Sequence, residues 1–404
     1  MPHYLDHAAT TPALPQVVAA VAEQMGLAGN ASSLHTAGRA ARRVVEESRE
    51  TIAAALGAGP SEVVFTSGGT ESDNLAIKGL YYQRRADDAR RTRLIVSAIE
   101  HHAVLDCVDF LVGYEGARIT WVEPDSQGRI DPYRVRAAIE QDPTDVALVS
   151  VMWANNEVGT VQPVEQIVAV AHEFDIPMHT DAVQVMGQLP IDFAAMGVDL
   201  LTASGHKVGG PLGVGILLAR RDVRLRPLTQ GGGQERGLRS GTLDVSAIRG
   251  MAVAVAHVRA HLPQESDRLA ALRDKIIRGA LDAGFNITVS GSHEVGDITR
   301  RLPGNVHLLV PDCDGDSLLY LLDAAGIECS TGSACQAGVP RPSHVLLAMG
   351  VPQTRAGGAL RLSLGHTSTD DDVAAFLDAL PAAINRAQRA RHAGDAGRSA
   401  SGKL

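Results

Sequence analysis

Ala203-Ser204-Gly205-His206-Lys207-Val208-Gly209-Gly210 decides the reading of this chain, because it sets one lysine between a hydroxyl, an imidazole and a run of glycines. The segment before it, 198–203, is apolar and strand-like. Lysine is scarce here: only Lys78, Lys207, Lys275 and Lys403 occur, so 33 of the 37 basic residues are arginine. Arginine stays protonated and forms no Schiff base, so chemistry that needs a primary amine has few candidates. Lys78 falls in an amphipathic run, Lys275 in an arginine-rich helical pattern and Lys403 at the terminus, which singles out Lys207. On this stretch alone a solvated turn lysine is an equal alternative.

The rest of the chain bounds what Lys207 serves. A length of 404 residues with 45% hydrophobic content supports a substantial core and two or three domains. A net charge of −9 argues against direct nucleic-acid binding. No apolar run reaches membrane-spanning length, and the N-terminus has neither a basic n-region nor an h-region, so a cytoplasmic protein without membrane contact is expected. Cys107, Cys313, Cys329 and Cys335 are too few for a disulfide framework and show no C-x2-C spacing, so each is expected as a reduced thiol.

Helical patterns at 16–25 and 37–56 precede a change of rhythm. Short apolar runs at 63–66, 94–97, 119–122, 146–152, 177–179, 200–203 and 214–218 alternate with helical stretches, which predicts an α/β fold with a mostly parallel seven-stranded sheet flanked by helices. We read 14–261 as a large domain, closed by a helix near 245–261, with a linker at 262–265. Residues 1–13 and 262–384 read as a smaller α+β domain with helices at 266–283, 315–325 and 370–384 and strands near 305–309, 328–330 and 360–363. Residues 385–404, rich in Ala, Arg, Gly and Ser, read as a flexible tail.

Chemistry-bearing residues gather where strands hand over to helices, the ligand-binding edge of open α/β sheets. Val64-Phe65-Thr66-Ser67-Gly68-Gly69-Thr70-Glu71-Ser72-Asp73-Asn74 can aim backbone N–H groups and the Thr70 hydroxyl at a phosphate, although it lacks the lysine of a P-loop and also reads as an ordinary glycine turn. His101, at the start of a helix, can stack on a planar ring or shuttle a proton, or simply cap the helix. Asn155 and Asn156 offer amides at a strand end, as turn asparagines also do. Asp181 ends an apolar strand, where a carboxylate needs a cationic partner or serves as an N-cap.

Taken in order, these stretches resemble one family. YLDHAATTP, TSGGTESDNLAIKG, EHHAVLD, NNEVG, HTDAVQ, SGHKVGGPLGVG, GGGQERGLRSGT, STGSAC and LRLSLGH succeed one another as in class V, fold-type-I pyridoxal-phosphate enzymes, specifically cysteine desulfurases of the NifS/IscS type, over about residues 3 to 380. The resemblance implies that Lys207 holds pyridoxal 5'-phosphate as a Schiff base, that Asp181 pairs with the ring nitrogen, that Gln184 bonds the phenolic oxygen and that His101 stacks on the ring. It assigns Thr70, Ser204 and His206 to the phosphate, with Gly69 and Asn155 also in the cofactor site. Thr242 would reach the phosphate of a neighbouring subunit, which makes a homodimer part of the site. Asn155 and Arg361 would hold the substrate carboxylate, a task suited to arginine's bidentate fork.

Cys335, in Ser330-Thr331-Gly332-Ser333-Ala334-Cys335-Gln336, lies in a stretch with glycine and proline after it and reads as a loop nucleophile rather than a core thiol. Its separation from Arg361 fits the family members with a longer, mobile cysteine loop. Cys329 stands where the family more often has serine; it reads as a small structural residue, with thiol exchange or cluster holding as the alternative. No metal site is expected, apart from Cys335 as a cluster ligand during transfer. The function implied is conversion of L-cysteine to L-alanine, with sulfur passed through a persulfide on Cys335 to an acceptor such as an iron–sulfur scaffold or a tRNA-thiolation enzyme. A selenocysteine lyase or other class V lyase or aminotransferase, and a non-enzymatic cofactor-bearing scaffold, are the rival readings.

Overall fold

A computed structural model describes residues 2–332 and 342–401. Its large unit is a seven-stranded sheet in the order Val63–Thr66, Gly215–Ala219, Leu200–Ser204, Met178–Asp181, Val146–Ser150, Arg93–Ser97, Arg118–Val122. Only Gly215–Ala219 runs antiparallel to its neighbours. The strand positions agree with the expected apolar runs to within two residues at either end.

Side chains alternate between the faces of a strand, and here both faces are apolar. Val63 and Phe65 enter one core with Val45 and Ile52 of the helix Thr36–Ala55 and Met251 and Val255 of the helix Val245–Asp282. Val64 points the other way, into a core with Leu75 and Leu80 of Gly69–Asp87 and Val104 and Leu111 of His102–Glu115. Burying each such side chain contributes about 1.5–3 kcal/mol, so the continuous apolar strands drive helices onto both faces. The polar strand ends are thereby left to one edge, where the connections Thr66 to Gly69, Ser97 to His102 and Ser204 to Lys207 converge.

The smaller unit has an antiparallel sheet ordered Ala359–Ser363, Asn305–Leu309, Thr288–Val289. The N-terminal strand His3–Tyr4 pairs in parallel with Ile327–Glu328. Leu5, Ile276, Val306, Leu318, Leu360 and Phe376 form its core.

Two boundaries differ from the sequence reading. Residues 262–265, read as a linker, lie inside the single helix Val245–Asp282, which contains Pro263. Strong helix formers flank the proline on both sides, Leu262 and Ser266 are buried, and Ser266 Oγ donates to the Gln188 carbonyl at 2.7 Å, so packing holds the helix across it. The last helix, Asp370–Ser401, continues past residue 384. Ile384 and Ala387 remain in the core, and the Ala- and Arg-rich sequence beyond is intrinsically helix-forming. Among the described residues no helix is long and apolar enough to cross a membrane.

Candidate active site

The strand Leu200–Ser204 ends in the short 3-10 turn Gly205–Lys207, which turns Lys207 back over the edge of the sheet. Lys207 Nζ donates to the carbonyls of Ala8 at 2.5 Å and Ala9 at 2.8 Å, on the N-terminal strap. Burial first, and then the positive charge of Arg361, push its ammonium down to about 8, although Asp181 and Asp6 pull the other way. A sizeable unprotonated fraction therefore exists near neutral pH, as a nucleophilic amine requires.

Lys207 borders a cavity of about 210 Å³ whose wall includes Gly69, Thr70, His101, Asp181, Gln184, Ser204 and His206. The helix Gly69–Asp87 starts at this wall with no side-chain cap on Gly68, so its first N–H groups are free for an anion. Close packing fixes the glycines: a Cβ on Gly69 would come 2.9 Å from Val183 Cγ2, and one on Gly215 would come 2.6 Å from the Gly68 backbone. Lys207 also borders a second cavity of about 290 Å³, lined among others by His7, His257, His261 and His366. The smaller cavity is the one onto which the helix start and the strand ends converge.

Asp181 ends the strand Met178–Asp181 and accepts from the Val183 N–H at 2.8 Å. Burial, with repulsion from Asp73, pushes its carboxyl up to about 7. His101 caps the helix His102–Glu115: its Nδ1 accepts from the Ala103 N–H at 3.1 Å, which places the ring proton on Nε2. Desolvation by the surrounding cavity wall, although the side chain stays open to solvent, and the nearby Lys207 push His101 down to about 4, so the ring is neutral at physiological pH. His206, also pushed down to about 4 by burial and Lys207, has Nδ1 3.2 Å from Thr10 Oγ1. Gln184 donates from Nε2 to the Ala8 carbonyl at 3.0 Å.

Three expected residues, Asn155, Arg361 and Thr242, stand apart from this wall. Asn155 is fully buried, and its amide is spent on its own turn: Nδ2 donates to the Ile99 carbonyl and Oδ1 accepts from the N–H groups of Glu157 and Val158, all at 2.9 Å. Its neighbour Asn156 lines the cavity instead. Arg361 lies behind Asn156, donating from Nη1 to that residue's carbonyl at 3.1 Å and from Nη2 to Asp6 at 2.8 Å, with its buried Nε unpartnered. Thr242 is exposed and does not border this chain's own cavity. Cys335 lies outside the described residues. The other three cysteines are free and buried, and burial pushes Cys107 and Cys329 up to about 12 and Cys313 up to about 11.

Sequence reasoning passed over Asp73, Met152 and Val183 on the cavity wall. For Asp73 the signal was present, since Thr70 and Asp73 are three residues apart and share one face of a helix. Among the described residues no cluster of His, Cys, Asp or Glu is arranged to hold a metal ion.

Residues 3–376 of the chain carrying this site match the family model described as aminotransferase class-V. The chain belongs to the class-V aminotransferase family. A class-V relative, the IscS-like cysteine desulfurase of Mycobacterium tuberculosis, is 55% identical over 387 residues, covering 96% of this chain and 97% of the relative. Cysteine desulfurase IscS of Methanosarcina thermophila is 42% identical, covering 95% and 92%. A solved structure described as a NifS-like protein superposes with a TM-score of 0.85 at 34% identity, covering 95% of this chain and all of the other. Another, titled SspA in complex with cysteine, gives 0.77 at 36% identity, covering 91% and 100%.

Proposed function

We propose that this class-V chain is a cysteine desulfurase that converts L-cysteine to L-alanine and carries the sulfur as a persulfide on Cys335. The observation that carries the reading is the meeting of three groups on one cavity: the Lys207 amine held near 8, the Asp181 carboxyl, and the uncapped start of the helix Gly69–Asp87. These residues fit pyridoxal 5'-phosphate. Free N–H groups with Thr70, Ser204 and His206 suit a phosphate, a buried carboxylate suits a protonated ring nitrogen, and a neutral His101 ring suits stacking. When bound, the cofactor supplies an electron sink for negative charge developed at the substrate Cα.

The chain's residues divide the remaining work. Lys207 would anchor the cofactor, and its neutral amine is the base suited to take the Cα proton. Asp181 would pair with the ring nitrogen and hold a proton there. His101, with Nε2–H available, passes a proton beside the ring. Arg361 is the cation suited to the substrate carboxylate, although it must reach past Asn156 to meet it. The Cys335 thiolate attacks the substrate sulfur; the S–S bond forms as the C–S bond breaks, the electron pair stays with the carbon, and protonation there yields alanine. The high thiol values of Cys107, Cys313 and Cys329 support assigning that attack to Cys335.

A homodimer accompanies this reading. Thr242 is exposed away from its own cavity, and Met25, Leu27, Leu34 and Leu212 are exposed apolar residues of the kind a second subunit covers. The onward step delivers persulfide sulfur to an acceptor protein in a reducing, cytoplasmic compartment.

Cys335→Ser tests the assignment. It is expected to bind pyridoxal phosphate normally while making almost no alanine, and mass spectrometry of the wild type after brief exposure to L-cysteine is expected to show one added sulfur on the Cys335 peptide. Sulfur on Cys329, Cys107 or Cys313, or undiminished alanine production, points instead to a lyase.

A further inference from the structure

Three acidic side chains are buried beside the cavity: Asp73, Glu100 and Asp181. Glu100 spends Oε1 on the Ser97 hydroxyl and the Met152 N–H, both at 2.6 Å. Asp73 lines the cavity but is only 1% exposed, and its Oδ1 has no hydrogen-bond partner; it lies 3.4 Å from His179 Nε2. His179 and Asp181 are two residues apart on one strand, so they leave the same face of the sheet, the face met by Asp73. His179 is itself fully buried, with Nδ1 2.9 Å from Ser150 Oγ and Nε2 3.1 Å from Thr202 Oγ1.

Two ionised carboxylates in one dry site repel, and one takes a proton. Asp181 has the better claim to the charge, because the Val183 N–H bonds it and Lys207 attracts it, and the ring nitrogen of the cofactor would pair with it. Asp73 is helped only by Thr202, and burial pushes it up to about 8. The groups that face it are His179, Thr202, Asp181, Glu100 and the Cys107 thiol, none of them a cation at neutral pH; His179 is held neutral by burial that pushes it down to about 4. In the tautomer with its proton on Nδ1 toward Ser150, the imidazole offers Nε2 as an acceptor to Thr202 and Asp73.

We propose that Asp73 is a positioning residue that stands as a neutral carboxylic acid on the cavity floor, its proton directed at His179, so that Asp181 alone carries negative charge opposite the cofactor ring. The consequence for the ring rests on the function proposed above; the protonation of Asp73 does not, so the two fail separately.

Infrared spectroscopy of the full chain carrying carboxyl-labelled aspartate reads this directly, and the label separates Asp73 from Glu100. A protonated aspartic acid band is expected at pH 7 in the chain loaded with pyridoxal phosphate, where Asp181 is ionised opposite the ring and contributes none, and is expected to be lost in Asp73→Asn and in Asp73→Ser. Absence of the band from the wild type, or its persistence in a folded variant, overturns the proposal. In the cofactor-loaded enzyme, either variant replaces one neutral group by another, so the pH midpoint of the visible absorption is expected to stay put. A shift of about one pH unit or more would mean that Asp73 is ionised. If neither variant folds, titration of the band in the cofactor-loaded wild type decides: the proposal stands if the band fades only above neutral pH and falls if it is gone by pH 6.

Discussion

Arg361 Nη2 donates to Oδ1 of Asp6 across 2.8 Å, a contact between residues 355 positions apart. It ties the N-terminal strap, whose Ala8 and Ala9 carbonyls receive the Lys207 amine, to the strand Ala359–Ser363 of the smaller unit. Asp6→Ala leaves a buried guanidinium without its counter-charge, while Asp6 itself is partly open to water, so a loss of about 1–3 kcal/mol in urea unfolding is expected. Arg361→Lys keeps the charge but loses the fork. It is expected to raise KM for cysteine about 10–100-fold with a smaller change in kcat; an unchanged KM removes Arg361 from the substrate site.

Purified protein is expected to be yellow with pyridoxal phosphate, and borohydride reduction followed by peptide mapping is expected to place the reduced cofactor on Lys207. Lys207→Ala loses the visible band. A reduced adduct on Lys78 or Lys275 contradicts the assignment of the amine.

Asp181 carries a cost in the cofactor-free protein that depends on pH. Its folded carboxyl titrates at about 7 against an ordinary 3.8, so between those values the unfolded chain binds fewer protons than the folded one, and the contribution to stability falls as pH rises. Asp181→Asn is therefore expected to stabilise the cofactor-free protein by about 2–4 kcal/mol at pH 8, with the gain vanishing below pH ~4. Thermal denaturation across that range checks it; a gain that grows toward acid reverses the sign and the argument.

Thr242→Ala and Lys207→Ala subunits, each inactive in a cofactor site, are expected to regain one competent site when mixed, because Thr242 would complete the neighbour's cavity. Sedimentation of a fully active monomer contradicts this.

The persulfide prediction for Cys335 stands on chemistry that the three buried cysteines are ill suited to perform. Their thiols titrate at about 11 to 12, leaving little thiolate at neutral pH. Alkylation with iodoacetamide under native conditions is expected to modify Cys335 first, as read by peptide mass spectrometry; faster labelling of Cys329 reverses the ranking.

The sequence by itself determined the seven strands and the edge of the sheet where Lys207, Asp181, His101 and Thr70 meet, because period, apolar runs and glycine turns are local properties. It also misplaced a boundary, since Pro263 signals a break that helix packing on both sides overrides. Only the tertiary structure decided which side chains face the cavity and which are spent elsewhere. Asn155 and Asn156 are adjacent in sequence, yet one is consumed by its own turn and the other borders the site. The partner of Arg361 lies at the opposite end of the chain, and Asp73 becomes a buried carboxyl beside Asp181 only when a helix is laid against the sheet. Desolvation and long-range pairing depend on what folding brings together, and no local pattern encodes them.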